Sequence, residues 1–368
     1  MYNKKKLLVL GGKPIGSIEL VQRAKALGLY VIVADFLPED KSPAKEISDE
    51  SWTISTAEVD VLVNLCREHH IDGILTAVHE FNINRMIDLC ERLSKPCYCN
   101  HTTWMYCDNK IAFKSLCVKN NIPVALKYDI DINNIKEILK LDYPVIVKPV
   151  DGSGSRGFSI CHNVDELIIG YNNALTFSPN KLVLVEDYIP YDAVIIHYTM
   201  NDGICYYSGM SDKISVKFES TGASVMGLQT FPSIGENIYL KTIDERVRLM
   251  FEDIGFTDGP IWIEAFYDGK DGFIFNEMGY RLGGSLTNYP VEYFYNVNQL
   301  DMMIDVAMGQ KRIANFIRST EKQKYCILPI HIRPGRIMSI AGIKEIRSRL
   351  DVNAFVSVHY LGDEIQEW

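Results

Sequence analysis

The chain has 368 residues, which is long enough for two or three structural units. Its 47% hydrophobic and 23% charged residues are ordinary for a globular protein, and its net charge of −9 gives no attraction to nucleic acid or to an anionic membrane. Nine cysteines without a disulfide-framework spacing indicate reduced thiols, so we expect a cytoplasmic protein. From the charge, we expect that it binds neither nucleic acid nor a membrane.

The first hundred residues alternate between strand and helix patterns. Strands are predicted at residues 7–10, 30–35 and 72–77, and helices at 18–27, 59–69 and 81–93. Such alternation predicts an open parallel sheet with covering helices. The first strand, an apolar run of only four residues, is far too short to be a signal segment or a membrane span.

A glycine-rich turn at residues 11–16 follows the first strand, and Asp35 ends the second. This arrangement suggests a dinucleotide site and, with it, a nicotinamide oxidoreductase. However, the glycine spacing is not Gly-x-Gly-x-x-Gly, and Pro14 stands where backbone amides should face a pyrophosphate. A tight turn that binds no dinucleotide is the favoured interpretation.

The middle of the chain changes character. One helix is predicted within residues 105–120, beginning near Asp108, and short strands are predicted at 145–149, 157–161, 182–185 and 194–198. A helix at 243–254 is expected to stop at Gly255. In the tail, strand-like residues 327–332 and 354–360 flank a helix at 343–350, which predicts a small α+β appendage.

A hairpin pattern around the turn at residues 269–272 carries the most informative pair of side chains. If Lys270 and Asp271 form the turn centre, Glu264 and Glu277 lie directly opposite each other and point to one face. Opposed like charges repel, so the pair predicts a shared cation, and carboxylate oxygens suit Mg²⁺. A solvated polar face is the alternative. Four aromatic residues are predicted on the carboxylate face, which argues against that alternative: Trp262, Phe266, Phe273 and Phe275.

A second glycine-rich stretch matches Gly-x-Gly-x-x-Gly, but a strand pattern follows it where a dinucleotide motif requires a helix. A glycine-rich turn between antiparallel strands is typical of a flap whose backbone amides cover nucleotide phosphates, and an exposed hairpin tip is the alternative. The expected phosphate-binding residues of this flap are Gly152, Ser153, Gly154, Ser155 and Gly157.

Several further residues are candidates for a nucleotide site. Lys148 lies on the predicted strand before the flap, where a buried lysine needs an anion such as phosphate, and Lys110 is a second candidate. Glu186, or a backbone carbonyl of the segment at 182–189, is expected to accept from an adenine amine, and the Ile189 amide to donate to the ring. Arg281 is placed to clamp a carboxylate or a phosphate.

One group of thiols invites a metal interpretation. Cys97, Cys99, His101 and Cys107 lie close together in sequence, but Cys-x-Cys-x-His matches no common structural zinc pattern and no Cys-x-x-Cys follows. Ordinary cysteines are the better account.

The order of these motifs resembles the ATP-grasp superfamily. The resemblance rests on Lys110, Val-Lys148-Pro, the glycine-rich flap, Val-Glu186-Asp-Tyr-Ile, Glu264, and Glu277 with Arg281-Leu-Gly-Gly. The pattern is most similar to the branch with biotin carboxylase, carbamoyl phosphate synthetase and the ATP-dependent phosphoribosylglycinamide formyltransferase. It implies an α/β and α+β multidomain fold: a Rossmann-like domain at 1–104, an ATP-grasp domain at 105–310 with its flap lobe at about 125–190, and a small C-terminal α+β domain at 311–368.

The resemblance also implies a chemistry, in which ATP activates a small carboxylate as an acyl phosphate that an amine (or a thiol) then attacks. Lys110 and Lys148 are then expected on the α- and β-phosphates, with one or two Mg²⁺ on Glu264 and Glu277. Phe275 is expected beneath the adenine. Glu80 and Arg281 are the expected substrate residues, and Arg281 and Lys148 the catalytic ones. A homodimer formed through the N-terminal domain is also implied.

Two departures from the superfamily pattern leave an alternative open. Gly279 stands where a Glu-x-Asn motif has its asparagine, and Val194 stands where an acidic residue usually contacts the ribose, although Asp192 is a substitute. These departures motivate a second hypothesis, a catalytically degenerate ATP-binding regulatory or assembly protein. The acceptor pocket is expected in variable loops at residues 211–229 and 285–289, which do not reveal the substrate.

Overall fold

The structure is a computed structural model that describes residues 4–13, 15–151, 156–217, 224–311, 314–319, 323–357 and 359–366. Its N-terminal elements are, in chain order, β1 (Lys6–Leu10), α1 (Ser17–Ala26), β2 (Tyr30–Asp35), a 3₁₀ turn (Glu39–Lys41), α2 (Pro43–Ile47), β3 (Glu50–Thr53), α3 (Val59–Glu68), β4 (Gly73–Leu75) and α4 (Glu80–Leu93). The four strands form a parallel sheet in the order β3-β2-β1-β4. The predicted open parallel sheet is therefore confirmed, with β3 as an additional edge strand.

The turn after β1 is stabilised by hydrogen bonds to the Asp35 side chain at the end of β2. The Gly12 amide donates to Asp35 Oδ2 at 2.8 Å, and the Leu37 amide donates to Asp35 Oδ1 at the same distance. A Cβ on Gly12 would lie 2.1 Å from Ser42 Oγ, so only glycine fits this close approach. This geometry agrees with a tight turn. Pro14 lies outside the described residues.

The next segment leads into a small three-stranded lobe. It comprises α5 (His101–Asp108), α6 (Lys110–Lys119), α7 (Ile135–Ile138), β5 (Val145–Pro149), β6 (Ser159–Cys161), α8 (Val164–Phe177) and β7 (Val183–Asp187). The predicted helix beginning near Asp108 is confirmed as α6, but the residues from 105 to 108 belong to a separate helix, α5. The chain breaks at Asn109, whose Oδ1 accepts from the Ile111 and Ala112 amides at 3.0 Å. This cap makes Lys110 the first residue of a new helix.

A long antiparallel sheet forms the centre of the molecule. Its elements, with the helices around it, are β8 (Asp192–Asn201), β9 (Ile204–Lys217), β10 (Ser224–Phe231), α9 (Glu236–Thr242), α10 (Asp244–Asp253), β11 (Gly259–Tyr267), β12 (Phe273–Gly279), α11 (Asn288–Tyr295), α12 (Gln299–Ala307) and β13 (Tyr325–Ile327). The strand order is β12-β11-β8-β9-β10-β13. Residues 211–217 and 224–229, expected as a variable loop, are therefore strand.

The tail differs from its predicted form. β13 pairs with β10 and so joins the central sheet instead of the appendage. The later elements are β14 (Gly335–Arg336), α13 (Ile343–Arg347) and β15 (Glu364–Ile365), and no strand is assigned to the described part of 354–360. Among the described residues, no helix has the length and apolar character needed to cross a membrane.

A helix from the C-terminal half of the chain packs against the N-terminal sheet. Arg23 on α1 donates through Nη2 to Asp301 Oδ2 on α12 at 2.7 Å. A Cβ on Gly73 of β4 would lie 2.5 Å from the Ala307 carbonyl oxygen. Helix α12 therefore packs against β4 with no space for a side chain, and it fixes the N-terminal sheet against the rest of the molecule.

We expect Gly73→Ala to lower the free energy of unfolding by about 1–3 kcal/mol, because the added methyl group must push α12 away from β4. The control is Gly284→Ala, since an added Cβ at that position meets nothing within 4 Å. Denaturant unfolding of both variants measures the difference. Equal stabilities of the two variants would contradict this packing.

Candidate functional site

The two predicted metal ligands lie side by side on the central sheet. Glu264 on β11 and Glu277 on β12 are direct partners in the antiparallel register, as the sequence predicted. The turn, however, is centred one half-residue earlier than expected, with the Asp268 amide donating to the Gly272 carbonyl at 3.1 Å. A β-bulge at Asn276 shifts the register by one residue and restores the Glu264–Glu277 pairing.

The bulge also decides which aromatic residues share the carboxylate face. Before it, Phe275 pairs with Ala265, and both side chains are fully buried on the opposite face. Phe275 lies parallel to the Tyr239 ring at 6.5 Å in the core. The expectation that Phe275 and Phe273 share the carboxylate face is therefore wrong, and an adenine on that face would not reach Phe275. Strand alternation leaves Trp262 and Phe266 there.

Glu264 is held by two side chains. Lys213 on β9 donates to its Oε2 at 2.5 Å, and the Asn276 amide nitrogen donates to its Oε1 at 2.8 Å. Burial works against ionisation of Glu264, but the charge of Lys213 and these two hydrogen bonds outweigh it and hold its pKa below the usual value. Glu264 is thus a carboxylate at neutral pH and ready to bind a cation.

Glu277 faces the other predicted phosphate lysine. Lys110 Nζ lies 3.8 Å from Glu277 Oε2, an ion pair that links the start of α6 to β12. The Glu277 side chain is 36% exposed, whereas that of Glu264 is only 13% exposed. The pair of carboxylates therefore has one buried and one accessible member.

Lys148, which was expected to need a phosphate as its anion, already has a counter-charge in Glu186. Its Nζ lies 2.5 Å from Glu186 Oε1 and donates to Asn276 Oδ1 at 2.8 Å. Lys114 on α6 forms an ion pair with the second oxygen of Glu186. The Glu186 carboxylate is therefore shared by two lysines, and of the two predicted adenine acceptors only a backbone carbonyl stays a candidate.

The buried triad of Lys114, Lys148 and Glu186 has shifted ionisation properties. Burial, and then the charge of Lys148, lower the pKa of Lys114 to about 8. Burial raises the pKa of Glu186, but the two lysine charges outweigh that effect and the net shift is downward. At neutral pH the triad therefore carries two positive charges against one negative charge, an excess that favours an anion.

Only some of the remaining residues predicted to bind the nucleotide belong to the described part of the chain. Gly152, Ser153, Gly154 and Ser155 lie outside the described residues. They connect antiparallel strands β5 and β6, as predicted, and Gly157 after them has a left-handed φ of 72°. Ile189 is half-buried in the short connection between β7 and β8, where the small lobe meets the central sheet.

Arg281 and Glu80 meet between the central sheet and the N-terminal elements. Arg281 Nη2 donates to Glu80 Oε1 at 2.9 Å, so the first residue of α4 pairs with the segment after β12. The Arg281 guanidinium also lies 4.9 Å from the centre of the Trp262 ring. Three buried nitrogens near this pair have no hydrogen-bond partner among the described residues: Arg281 Nε, Trp262 Nε1 and His197 Nε2. His197 is the cross-strand partner of Trp262.

Gly279 has a structural reason for having no side chain. A Cβ there would lie 2.5 Å from the Trp262 indole, which covers the strand at that point. The space that an asparagine side chain would take at this position is thus filled by Trp262, the residue that also contacts Arg281. The absence of an asparagine side-chain oxygen at position 279 therefore follows from the position of Trp262, because the indole leaves no space for a side chain there.

The donor set suits a magnesium ion held together with phosphate. Glu264 and Glu277 offer carboxylate oxygens, and within the described part of the chain no group of three or more His, Cys, Asp and Glu side chains is arranged to hold a metal ion. Two carboxylates are the usual protein share of a Mg²⁺ site completed by water and phosphate oxygens. The geometry therefore fits an ion that arrives with a triphosphate.

Sequence reasoning missed three members of this site. Lys114 lies one helical turn after Lys110, so its i, i+4 spacing was an available signal. Lys213 gave no local signal, because its partner Glu264 is 51 residues away. Asn276 gave none either, since a bulge depends on the turn geometry and not on residue type.

Comparisons with known proteins agree with this geometry. The sequence model of the carbamoyl-phosphate synthase L chain, ATP binding domain, matches residues 109–195, the segment that carries Lys110, Lys148 and Glu186. A formate-dependent phosphoribosylglycinamide formyltransferase from Prochlorococcus marinus subsp. pastoris is 28% identical over 194 residues, which are 51% of this chain and 48% of the relative. The chain thus spans about half the length of the first curated relatives it matches.

Solved structures show the same fold over a larger part of the chain. An L-amino acid ligase from Bacillus licheniformis has a TM-score of 0.76 at 19% identity and covers 100% of this chain and 90% of its own. The biotin carboxylase domain of the Hydrogenobacter thermophilus 2-oxoglutarate carboxylase, solved with MgADP and bicarbonate, has a TM-score of 0.71 at 20% identity, with 85% and 72% coverage.

The fit between Gly279 and Trp262 predicts a dependence between the two positions. We expect Gly279→Ala to lower the free energy of unfolding by about 1–3 kcal/mol in the wild-type chain, because the methyl group collides with the indole. In a Trp262→Ala background the same change should cost less than about 0.5 kcal/mol. A double-mutant cycle by denaturant unfolding measures the coupling, and additive effects would contradict it.

Proposed function

We propose that the chain is an ATP-grasp enzyme, a Mg-ATP-dependent ligase that activates a small carboxylate as an acyl phosphate for attack by an amine. The observation that carries the proposal is the pairing of Glu264 with Glu277 beside the amines of Lys110 and Lys148. This arrangement combines two carboxylates that suit a divalent cation with cationic side chains that suit phosphate.

The lysines change partners when the nucleotide enters. Lys110 leaves Glu277, and Lys148 leaves Asn276, for phosphate oxygens, so that Glu277 is released and, with Glu264, would hold one or two Mg²⁺. When bound, Mg²⁺ neutralises phosphate charge and polarises the phosphate that is transferred. Lys148 keeps its position through Glu186, so its amine is aimed before the ligand arrives. Catalysis then needs positioning and charge neutralisation, with no covalent protein nucleophile.

Arg281 and Glu80 form the substrate side of the site. Arg281 uses Nη2 on Glu80 and Nη1 on the Leu282 carbonyl, at 2.9 Å each. Its buried Nε, together with Trp262 Nε1, is a donor still to be satisfied. A substrate carboxylate satisfies such donors, and Glu80 is then available to bind the amine. The Glu80–Arg281 pair joins the two domains, so substrate binding and domain contact are linked.

The adenine lies at the connection between the two lobes. The Glu186 carbonyl accepts from the exocyclic amine and the Ile189 amide donates to the ring, as the superfamily pattern implies. Phe266, which shares the carboxylate face, takes the role first expected of Phe275. Val194 is buried on β8, so the acidic ribose contact at that position is absent. For the glycine-rich flap, whose residues 152–155 lie outside the described part of the chain, we keep the phosphate-binding role that the resemblance implies.

A catalytically degenerate ATP-binding regulatory or assembly protein is the second candidate, favoured by Gly279 and Val194. Measuring ADP and phosphate release from Mg-ATP with a panel of amino acids and metabolite carboxylates distinguishes the two. Release with at least one pair of substrates supports the ligase. Nucleotide binding without release across the panel supports the regulator. We further propose a cytoplasmic protein and a homodimer formed through the N-terminal domain.

Removing one site charge should abolish turnover while the fold survives. We expect Lys148→Ala and Glu277→Ala each to lower the rate of ATP turnover by at least about 100-fold, because each removes a charge that stabilises the transferring phosphate. Steady-state ADP release measures the rate, and circular dichroism checks the fold. Matched controls are the exposed residues Lys140 and Glu245 changed to Ala. Wild-type rates in either site variant would refute the assignment.

The low pKa of Lys114 predicts a pH-dependent affinity. Lys114 loses its proton as the pH rises through about 8, so Mg-ATP binding should weaken by up to about tenfold per pH unit above that value. Titration calorimetry between pH 7 and 9.5 measures the slope. Lys114→Met should remove this slope, and Lys119→Met on the exposed side of α6 should retain it. An identical slope in both variants would contradict the role of Lys114.

A further inference from the structure

Three thiols meet between the N-terminal sheet and the central domain, away from the carboxylate pair. Cys90 lies in the last turn of α4, and Cys97 and Cys99 lie in the connection to α5. Cys97 and Cys99 belong to the group whose sequence pattern favours ordinary cysteines. All nine cysteines of the chain are free thiols. This cluster, defined as Cys90, Cys97 and Cys99, takes no part in the proposed ligase chemistry.

The end of α4 brings the thiols together. Ser94 has a left-handed φ of 52°, and the Lys95 amide donates to the Cys90 carbonyl at 2.8 Å, so the chain turns back at the helix end. Cys97, two residues later, therefore returns to the Cys90 side chain. The contact between them comes from the helix cap, and it is fixed before any chemistry takes place.

Cys97 has the surroundings of a thiolate. Hydrogen bonds from the Cys90 and Cys99 thiols lower the pKa of Cys97, burial raises it, and the Cys99 and Tyr98 amides lower it further, so the pKa lies well below that of a free thiol. The pKa of Cys90 is raised, by the hydrogen bond to Cys97 and by burial, so Cys90 stays protonated. The cluster thus has one nucleophilic sulfur and a thiol donor beside it.

A cavity gives small molecules access to the cluster. It measures about 300 Å³ and is lined by all three thiols together with Lys95, Asn100 and Thr257 among others. Cys97 is partly exposed, whereas Cys90 and Cys99 are buried. Lys95 adds a positive charge that stabilises an anion at the cluster. A small neutral oxidant therefore reaches Cys97 before the other two sulfurs.

We propose that Cys97 is a peroxide-oxidisable thiol and that Cys90 resolves it to a Cys90–Cys97 disulfide. The Cys97 thiolate attacks one oxygen of hydrogen peroxide, the O–O bond breaks, and the leaving hydroxide takes up a proton to become water. Cys97 is then a sulfenic acid. The Cys90 sulfur attacks the Cys97 sulfur, an S–S bond forms and the S–O bond breaks, and the hydroxyl group leaves with the Cys90 proton as a second water.

Cys90 is the resolving partner because a disulfide between residues two apart, as in Cys97–Cys99, is strained by the short chain between them.

The cluster is also connected to the substrate side of the proposed ligase site through packed side chains. Tyr98 lies between Cys97 and Cys99 in sequence, and its ring packs edge-on against Tyr280 at 5.3 Å. Tyr280 donates through its hydroxyl to the Tyr98 carbonyl at 2.8 Å and precedes Arg281.

The test uses the full chain in a Cys326→Ser background, so that no exposed surface thiol competes. The protein is treated with hydrogen peroxide and analysed by peptide mass spectrometry, with and without dimedone to trap sulfenic acid. We expect a Cys90–Cys97 linked peptide about 2 Da lighter than its reduced form, reversed by dithiothreitol. The Cys90→Ser variant should accumulate a dimedone adduct on Cys97, and Cys97→Ser should give neither product.

A second measurement keeps the proposal testable if a variant fails to fold. In the wild-type chain, iodoacetamide at pH 6 should modify Cys97 about tenfold faster than the exposed Cys326. The buried Cys205, far from the cluster in sequence, is the internal control and should stay unmodified. Alkylation of Cys97 no faster than that of Cys326, or peroxide products on other cysteines first, would overturn the proposal. A lasting wild-type adduct without a disulfide would overturn the resolving step. None of these results depends on ligase activity.

Discussion

The structure depends on the balance of charge around one pair of carboxylates. Glu264 and Glu277 are adjacent on a single face of the sheet, where they would repel each other without nearby cations. Lys213 and Lys110 supply those cations from opposite sides, one from β9 and one from the start of α6. Because both carboxylates already have partners, the fold tolerates the pair before any metal binds, at the cost of holding separate elements in fixed positions.

The same balance explains how the site prepares for a ligand. Asn276 links the two halves: its amide nitrogen donates to Glu264 and its oxygen accepts from Lys148. Lys148 in turn shares Glu186 with Lys114, so a continuous chain of polar contacts runs from the central sheet through β5 and β7 to α6. Buried polar networks of this kind are stabilising only when every member is satisfied. Each lysine or carboxylate contact that is broken when a triphosphate and its metal enter must therefore be replaced by a contact to phosphate or metal.

The local parts of this arrangement could be predicted from the sequence, and the long-range parts could not. The Glu264–Glu277 pairing follows from a short hairpin, although it came out right because the bulge at Asn276 offset a small error in the turn centre. That bulge also moved Phe275 to the buried face, which strict alternation could not foresee. Lys213 was missed because its role is set by a neighbouring strand. Glu80 and Arg281, 201 residues apart, were expected as substrate residues only through resemblance to known proteins, and their direct contact was not predicted.

The most direct test is an anomalous diffraction map from crystals grown with Mn²⁺ and a non-hydrolysable ATP analogue. The account predicts a metal peak shared by the Glu264 and Glu277 carboxylates, with the Lys110 and Lys148 amines on phosphate oxygens and Lys148 released from Asn276. A bound nucleotide that leaves both carboxylates on their lysines, with the metal elsewhere, would contradict it.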